Sequence, residues 1–193
     1  MPKYSKSKIK YIIDKHDFKA LYQNCQNIRE KTYLTVLWLT AGRPEEVLLL
    51  KKKDINIQPE KTSIKMQVKK LGYTKENKFI IEQRHLVLKT SSEKYYIKNL
   101  KKYIDKYKDP KQKIFQFTKR TGLNILHRLG EQTLGFSICH YNFRHSRMTL
   151  LAEAGATKED LKRFKGSRTD RSVKHYIHAR KIEYSVESEI END

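Results

Sequence analysis

Few residues in this chain of 193 break regular secondary structure, since it has only four prolines and seven glycines. We find no internal repeat and no linker rich in glycine and serine, so most of the chain should be helix or strand. Hydrophobic residues make up 37% and aromatic residues 10%, which is enough for a buried core although 33% of residues are charged. The length allows one fair-sized domain or two small ones.

Cysteine and long apolar runs are also scarce. Cys25 and Cys139 are too few and too isolated for a disulfide framework or a zinc site. No apolar run approaches the roughly 18–20 residues that a membrane span needs. The basic start, MPKYSKSKIKYIIDK, lacks the apolar segment of a signal peptide. We therefore expect a soluble, intracellular, cytoplasmic protein that does not associate with membranes.

Acidic residues are outnumbered: 42 Lys and Arg stand against 22 Asp and Glu, a formal net charge of +20. Such an excess of positive charge causes electrostatic repulsion within a compact protein, and nucleic acid is the commonest partner that neutralises it. The alternative is the charge enrichment of thermophile proteins, but their surfaces usually balance both signs. Residues 181–193 differ, with one lysine and five acids. A DNA-facing surface should lie upstream of this acidic tail.

Hydrophobic spacing predicts several helices. Residues 17–27 have an N-cap candidate in Asp17, and 30–41 form a largely apolar helix that ends at Gly42. Pro44 opens the next helix, since proline is tolerated in a first turn. Further helices are predicted over 119–130, from His140 to Ala154 with Gly155 as the C-terminal cap, and after Thr157. A last short helix should contain Tyr176.

Between about residues 55 and 82 the pattern changes to period two, which predicts strands. Apolar residues alternate with polar ones in three runs: Ile55 and Ile57; Ile64, Met66 and Val68; Phe79 and Ile81. Gly72 lies between the last two runs. Thr90 and Glu93 then have the spacing of a capping box, which predicts a helix through residue 107. The fold class is therefore mainly α with a small three-stranded antiparallel β-sheet.

Three segments contain residues suited to phosphate chemistry. HYNFRHSR (140–147) places His140 and Arg144 on one helical face, where arginine can bind phosphate through two donors and histidine can transfer a proton. AGRPEEVLLLKKKDI (41–55) places Arg43 before a helix, and KGSRTDRSVKHYIH (165–178) holds Tyr176. Taken singly, each segment has an ordinary structural explanation. The pair His140 and Arg144 is typical of a solvated basic face, Arg43 of a surface ion pair with Glu46, and Tyr176 of a core or phosphate-contacting residue.

Taken together and in this order, the segments resemble the catalytic domain of tyrosine site-specific recombinases, including the phage-type integrases. AGRPEEVLLLKKKDI is similar to the first-arginine box, HYNFRHS to the His-x-x-Arg-His box, EAGATKEDLKRFKG to the helix-turn-helix that follows, and HYIH to the nucleophile box. The resemblance covers about residues 10–180. Composition rich in Lys, Ile and Tyr is typical of an AT-rich genome, such as that of an archaeal virus or plasmid.

The resemblance implies that double-stranded DNA is cleaved and rejoined through a 3′-phosphotyrosine on Tyr176, with a free 5′ hydroxyl, no metal and no cofactor. Arg43 and Arg144 would bind the non-bridging phosphate oxygens. Tyr176 is a poor nucleophile at its free pKa of about 10, so it needs a base, for which His140 is the candidate.

Two further positions are implied. A lysine at the end of the second strand would protonate the leaving 5′ oxygen, and alternation with Ile64, Met66 and Val68 favours Lys70 over Lys69, with Lys75 as a third candidate. Ser167 stands where the family usually has His or Trp after Gly166. Serine can donate one hydrogen bond but supplies no cation.

The family usually carries a separate helical domain before the catalytic one, so this chain is either an excised catalytic domain or a minimal enzyme. We assign residues 1–180 to the catalytic domain and 181–193 to an acidic tail that docks on a neighbouring subunit in a homo-tetramer on paired DNA sites. The competing functions are a catalytically impaired DNA-binding homologue, a type IB topoisomerase-like enzyme and an RNA-binding protein. The last explains the charge but not the ordered Arg, His-Arg and Tyr set.

Overall fold

The computed structural model describes residues 12–73, 79–167 and 169–177, apart from the side chains at 69–73, 79–82 and 92. These residues form a mainly helical structure with one small sheet, which confirms the predicted fold class. A further helical segment begins at residue 174 and is described to residue 177. In chain order the helices are α1 Lys15–Gln23, α2 Ile28–Thr40, α3 Pro44–Leu48, α4 Lys94–Ile104, α5 Lys119–Leu134, α6 His140–Glu153 and α7 Lys158–Lys165.

The sheet has three antiparallel strands, β1 Ile55–Ile57, β2 Lys61–Tyr73 and β3 Phe79–Lys89, in the order β1-β2-β3. The third strand runs beyond the predicted end of the sheet at residue 82. One face of β2 is buried, as period two predicts, and its members are Ile64, Met66 and Val68. Arg84 pairs with Met66 across the β2–β3 ladder and is buried as well. The sheet therefore places the basic side chain of Arg84 among its buried apolar residues.

Helix α2 forms the centre of the main hydrophobic core, because its side chains from Tyr33 to Thr40 are all buried. It packs against α4 and α6. The Trp38 ring stacks on Phe18 of α1 with 4.5 Å between ring centroids. The segment before α1 is tied to α6, since the Ile13 amide donates to Ser146 Oγ at 2.7 Å. Helix α6 is thus fixed from both sides.

The predicted start of α1 was wrong. Asp14, not Asp17, is the N-cap, and the helix ends at Gln23. The two aspartates form a reciprocal capping box, in which the Asp17 amide donates to Asp14 and the Asp14 amide donates to Asp17. Asp17 matched an N-cap by residue type, but it occupies the third helical position of the box. Helix α2 likewise begins earlier than expected, after the N-cap Asn27.

The predicted capping box of Thr90 and Glu93 does not form, and α4 starts after Glu93. Tertiary contacts occupy both side chains. Thr90 Oγ1 donates to the Gln58 carbonyl at 2.9 Å. The Glu93 carboxylate accepts from Trp38 Nε1 at 3.2 Å and pairs with Arg147 at 3.7 Å. These long-range partners replace the local backbone amides that a capping box would use.

Other helix boundaries were predicted correctly. Pro44 begins α3, and Gly155 follows α6 with a φ of 93°. Thr157 and Asp160 form the reciprocal capping box expected at the start of α7. The acidic tail, residues 181–193, and the candidate Lys75 lie outside the described residues. None of the helices within the described ranges combines the length and hydropathy of a membrane-spanning segment.

Candidate active site

Helix α6 brings two of the predicted residues into one cleft. His140 and Arg144, four residues apart, line a cleft of about 420 Å³ together with Gly42, Arg43, Pro44 and Tyr141. Burial, together with the nearby Arg43 and Arg84, lowers the pKa of Arg144 to about 10. The guanidinium remains charged at neutral pH. The cleft therefore gathers positive charge at the junction of α3 and α6.

Arg144 also holds two parts of the chain together. Its Nη1 donates to the Ala41 carbonyl at 2.5 Å, and its Nη2 donates to the Lys165 carbonyl at 2.8 Å. Ala41 lies in the turn after α2, and Lys165 is the last residue of α7. Arg144 thus fixes the turn that carries Arg43 relative to the helix that precedes Ser167.

The turn before α3 requires glycine at position 42. A Cβ there would lie 2.6 Å from Val47 Cγ2 and 2.8 Å from Met66 Cε, closer than real carbon contacts. This close packing against β2 sets the position of Arg43, which is the N-cap residue of α3. The Arg43 side chain is 43% exposed, so it reaches the open side of the cleft.

Glu46 connects Arg43 to the sheet. Its Oε1 accepts from Arg43 Nη1 at 2.6 Å, and its Oε2 accepts from the Arg43 amide and from Arg84 Nη2, both at 3.1 Å. Arg84 Nη1 also donates to the Phe164 carbonyl. Glu46 and Arg84 are both buried. The ion pair between Arg43 and Glu46 expected as an alternative from the sequence is therefore present, but as part of a larger network.

We predict that Glu46→Ala lowers the free energy of unfolding by about 3–5 kcal/mol, because it leaves the buried Arg84 without its carboxylate. Glu45→Ala is the matched control. Its ion pair with Lys119 is exposed, so the loss should be about 0–1 kcal/mol. Urea unfolding of both variants tests this, and equal effects would show that Glu46 is not a structural anchor.

Tyr176 is held in a small second core. Its side chain is 5% exposed and packs in a cluster with Met148, Ala152, Leu161 and Val173. Burial and, to a smaller extent, Tyr141 raise the pKa of Tyr176 to about 12, whereas Arg144 opposes the rise. The hydroxyl is thus protonated at neutral pH and needs a base to become a nucleophile.

His145 is the histidine at hydrogen-bonding distance from Tyr176, with 3.3 Å between Nδ1 and the hydroxyl oxygen. His140, the base candidate from the sequence, instead has its Nε2 2.7 Å from the Tyr33 hydroxyl. Burial lowers the pKa of His140 to about 4, so its ring is neutral. Burial also lowers the pKa of His145, helped by His175 and Lys165. Sequence reasoning missed His145, although it follows directly on Arg144.

Ser167 and Lys70 are the remaining site residues predicted from the sequence. Ser167 follows α7, and its hydroxyl accepts a hydrogen bond from Ser172 Oγ at 2.7 Å. Lys70 lies in β2, where the pairing with β3 shifts register between Lys69 and Tyr73. The side chains of Lys69 and Lys70 are outside the described set. The lysine assignment stays a prediction.

A group of side chains suited to a metal ion occurs elsewhere. In the described ranges, ligand atoms of Asp14, His16 and Asp17 lie within 4.8 Å of one another. Asp14 and Asp17 are the capping pair of α1, which accounts for their proximity. The residues lining the cleft, by contrast, offer cationic and aromatic groups that suit an anion.

The model of the phage integrase family matches residues 12–183, nearly the whole chain. The chain belongs to the phage integrase family. A search of curated proteins gave no match.

Solved structures share this integrase fold. The XerH site-specific recombinase, in a pre-cleavage complex with its difH substrate, is 17% identical with a TM-score of 0.66 over 90% of this chain. The XerA recombinase is 17% identical with a TM-score of 0.67 over 87% of this chain. The catalytic domain of bacteriophage HP1 integrase is 16% identical with a TM-score of 0.52, covering 86% of each chain. The chain spans only 52% of the XerH chain and 60% of the XerA chain.

One integrase box departs from the expected spacing. A His-x-x-Arg box places histidine three residues before arginine, but His140 stands four residues before Arg144, and Tyr141 occupies the third. Tyr141 is 49% exposed, and its ring stacks on His145 with 5.7 Å between centroids and 11° between planes. The spacing itself could have identified Tyr141 as a site residue.

Proposed function

We propose that this integrase is a site-specific recombinase that cleaves and rejoins double-stranded DNA through a 3′-phosphotyrosine on Tyr176. The observation that carries the proposal is the pairing of the Tyr176 hydroxyl with His145 Nδ1 at 3.3 Å beside a buried arginine. A nucleophile, a base and a cation are the groups that phosphodiester cleavage requires.

In the cleavage step, His145 takes the phenolic proton as Tyr176 Oη attacks phosphorus. The Oη–P bond forms and the P–O5′ bond breaks. Arg144 and Arg43 bind the non-bridging oxygens, whose negative charge increases in the transition state. The leaving 5′ oxygen takes a proton from a lysine of the β2–β3 hairpin, for which Lys70 is the candidate. Ser167 can add one neutral hydrogen bond. No metal and no cofactor enters this scheme.

His140 is the weaker candidate for the base in this scheme. Its ring lines the cleft but is hydrogen-bonded to the Tyr33 hydroxyl. Because burial lowers the pKa of His140 to about 4, the ring is also hard to protonate. A base must gain a proton during the step, which favours His145 over His140.

We therefore predict that His145→Ala reduces DNA cleavage by about 10²–10⁴-fold, the usual contribution of a general base. His140→Phe, which keeps a buried ring, should reduce DNA cleavage less than His145→Ala does. The neutral form of His145 is the active one, and its pKa lies below the usual 6.5. Cleavage should thus persist as pH falls to 6.5 and decline only below it. Larger loss in the His140 variant would reverse the assignment.

DNA binding should weaken steeply with salt. The net charge of +20 favours phosphate contacts, and counterion release predicts a log–log slope of about −0.9 per contact on duplex DNA. Fluorescence anisotropy with a labelled duplex between about 50 and 200 mM salt measures this slope. A flat dependence would remove the electrostatic part of the proposal.

Assembly follows from the same proposal. Strand exchange between two sites needs four active sites, which favours a homo-tetramer on two duplexes. The acidic residues 181–193 would be repelled by DNA, so we assign them to subunit contacts.

A single experiment separates the candidate functions. Duplexes selected by binding from a randomised pool are mixed in pairs with distinguishable arms, in EDTA and without nucleotide. Products with exchanged arms support a recombinase. Relaxation of a supercoiled plasmid carrying the site, without exchange, would indicate a topoisomerase-like enzyme. Binding without any cleavage would indicate an impaired homologue.

A further inference from the structure

Lys165, the last residue of α7, lies next to both Arg144 and Tyr176. Its backbone carbonyl accepts from Arg144 Nη2 at 2.8 Å, and its ammonium donates to the Ser172 carbonyl. Its Nζ lies 5.2 Å from the centroid of the Tyr176 ring. Backbone and side chain thus contact both the buried arginine and the segment that carries the tyrosine.

The ammonium of Lys165 has no carboxylate partner within 4 Å among the described residues. The neighbouring Lys158 and Lys162 of α7 both pair with Asp170. Lys165 is instead surrounded by cationic or titratable groups from each element packed against it: Arg43 at α3, Arg144 and His145 of α6, and His175 and Tyr176 of the last segment. Partial burial and, to a smaller extent, Arg144 and Arg43 lower its pKa to about 8. A cation without a carboxylate partner, beside two arginines, would be stabilised by an anion bound near Arg43 and Arg144.

The backbone at the end of α7 accounts for this position. Gly166 adopts a φ of 64°, which ends the helix in the left-handed region. A Cβ at Gly166 would lie 3.1 Å from Arg84 Cδ, so the turn also packs closely against β3. Ser167 beyond this turn is bonded to Ser172 and carries no charge.

We propose that Lys165 is a third cationic ligand of the scissile phosphate, and that it supplies the charge that Ser167 lacks. This inference rests on the proposed cleavage of DNA by Tyr176. With Arg43 and Arg144 it would place three positive groups around a phosphate that gains negative charge in the transition state.

The position of Lys165 argues against a role as the acid for the leaving group. In phosphoryl transfer the attacking and leaving oxygens stand roughly in line on opposite sides of phosphorus. Lys165 Nζ lies 5.2 Å from the centroid of the Tyr176 ring, so in our proposal it stands on the attacking side of phosphorus, opposite the 5′ oxygen. The lysine of the β2–β3 hairpin remains the candidate general acid for the leaving 5′ oxygen.

Two substitutions and two substrates test the proposal. Lys165→Met removes the charge and Lys165→Arg retains it. Lys162→Met is the control, because Lys162 lies on the same helix and its charge is paired with Asp170. Each is assayed for cleavage of a nicked duplex and of the same duplex with a methylphosphonate at the scissile position. The methyl group replaces one non-bridging oxygen and removes the negative charge. Thermal unfolding and DNA binding are measured in parallel.

On the ordinary duplex, Lys165→Met should cleave about 10²-fold more slowly, the effect of losing one transition-state donor. Lys165→Arg and Lys162→Met should retain most activity. On the methylphosphonate the gap between Lys165→Met and the unsubstituted protein should shrink. Since the charged form is active and its pKa is about 8, wild-type cleavage should fall as pH rises through about 8. The Lys165→Arg variant should keep its rate there, because a guanidinium stays charged.

The proposal is overturned if Lys165→Met cleaves as fast as the unsubstituted protein, or if its defect is equal on both substrates. A defect rescued only by a 5′-bridging sulfur, a better leaving group, would make Lys165 the acid and also overturn it. The proposed function fails differently, since the unsubstituted protein would then form no adduct on Tyr176.

Discussion

A Tyr176→Phe variant will form no covalent complex with DNA, although it binds the same DNA nearly as tightly as the unsubstituted protein. Phenylalanine keeps the ring that packs among Met148, Leu161 and Val173. It loses only the hydroxyl, whose described partner is His145 at 3.3 Å. One oxygen adds little to affinity dominated by contacts of lysine and arginine with phosphate. Denaturing gels with labelled nicked duplex measure the adduct, and anisotropy measures the binding.

Tyr141→Phe is the matched control for this variant. Tyr141 lines the cleft and is 49% exposed, so it is the alternative nucleophile of the site. Its substitution should leave the adduct in place. If the adduct persists with Tyr176→Phe and disappears with Tyr141→Phe, Tyr141 and not Tyr176 is the nucleophile.

The second large effect is expected at the arginines. Arg43→Ala and Arg144→Lys should each reduce cleavage by about 10²–10³-fold, as the loss of an oxyanion-hole donor does. Lysine should not replace Arg144, because a point charge cannot make two parallel contacts. It would also give up one of the carbonyl contacts to Ala41 and Lys165. Single-turnover cleavage rates measure the effect.

Stability must be measured beside the rates, because Arg144 is buried and Arg43 is not. Arg171→Lys, at an exposed position, is the control and should change neither quantity. If Arg144→Lys cleaves at the wild-type rate, the phosphate is not bound through a two-donor contact.

Much of the fold could be predicted because local patterns agree with it. Alternation placed Ile64, Met66 and Val68 on one buried face, and the capping pair Thr157 and Asp160 forms as expected. One failure arose where distant partners took over a side chain. Glu93 matched a capping residue by spacing, but Trp38 and Arg147 occupy its carboxylate. No local pattern reveals a partner 55 residues away.

The candidate site was predicted in part for a similar reason. Helical spacing correctly placed His140 and Arg144 on one face, and both line the cleft. It could not show that His145, about 100° further around α6, faces Tyr176, since this depends on how the last segment packs against the helix. Lys165 was missed because its environment is created by residues from three other elements.

The most direct test of the proposed cleavage by Tyr176 is the identity of the residue that becomes attached to DNA. The adduct formed by the unsubstituted protein on a nicked duplex is digested with nuclease and trypsin and analysed by mass spectrometry. We predict a nucleotide joined through its 3′ phosphate to Tyr176 in the peptide HYIHAR, residues 175–180. Attachment to the peptide that contains Tyr141, or an adduct absent under all conditions that allow binding, would contradict the assignment of Tyr176 as the nucleophile.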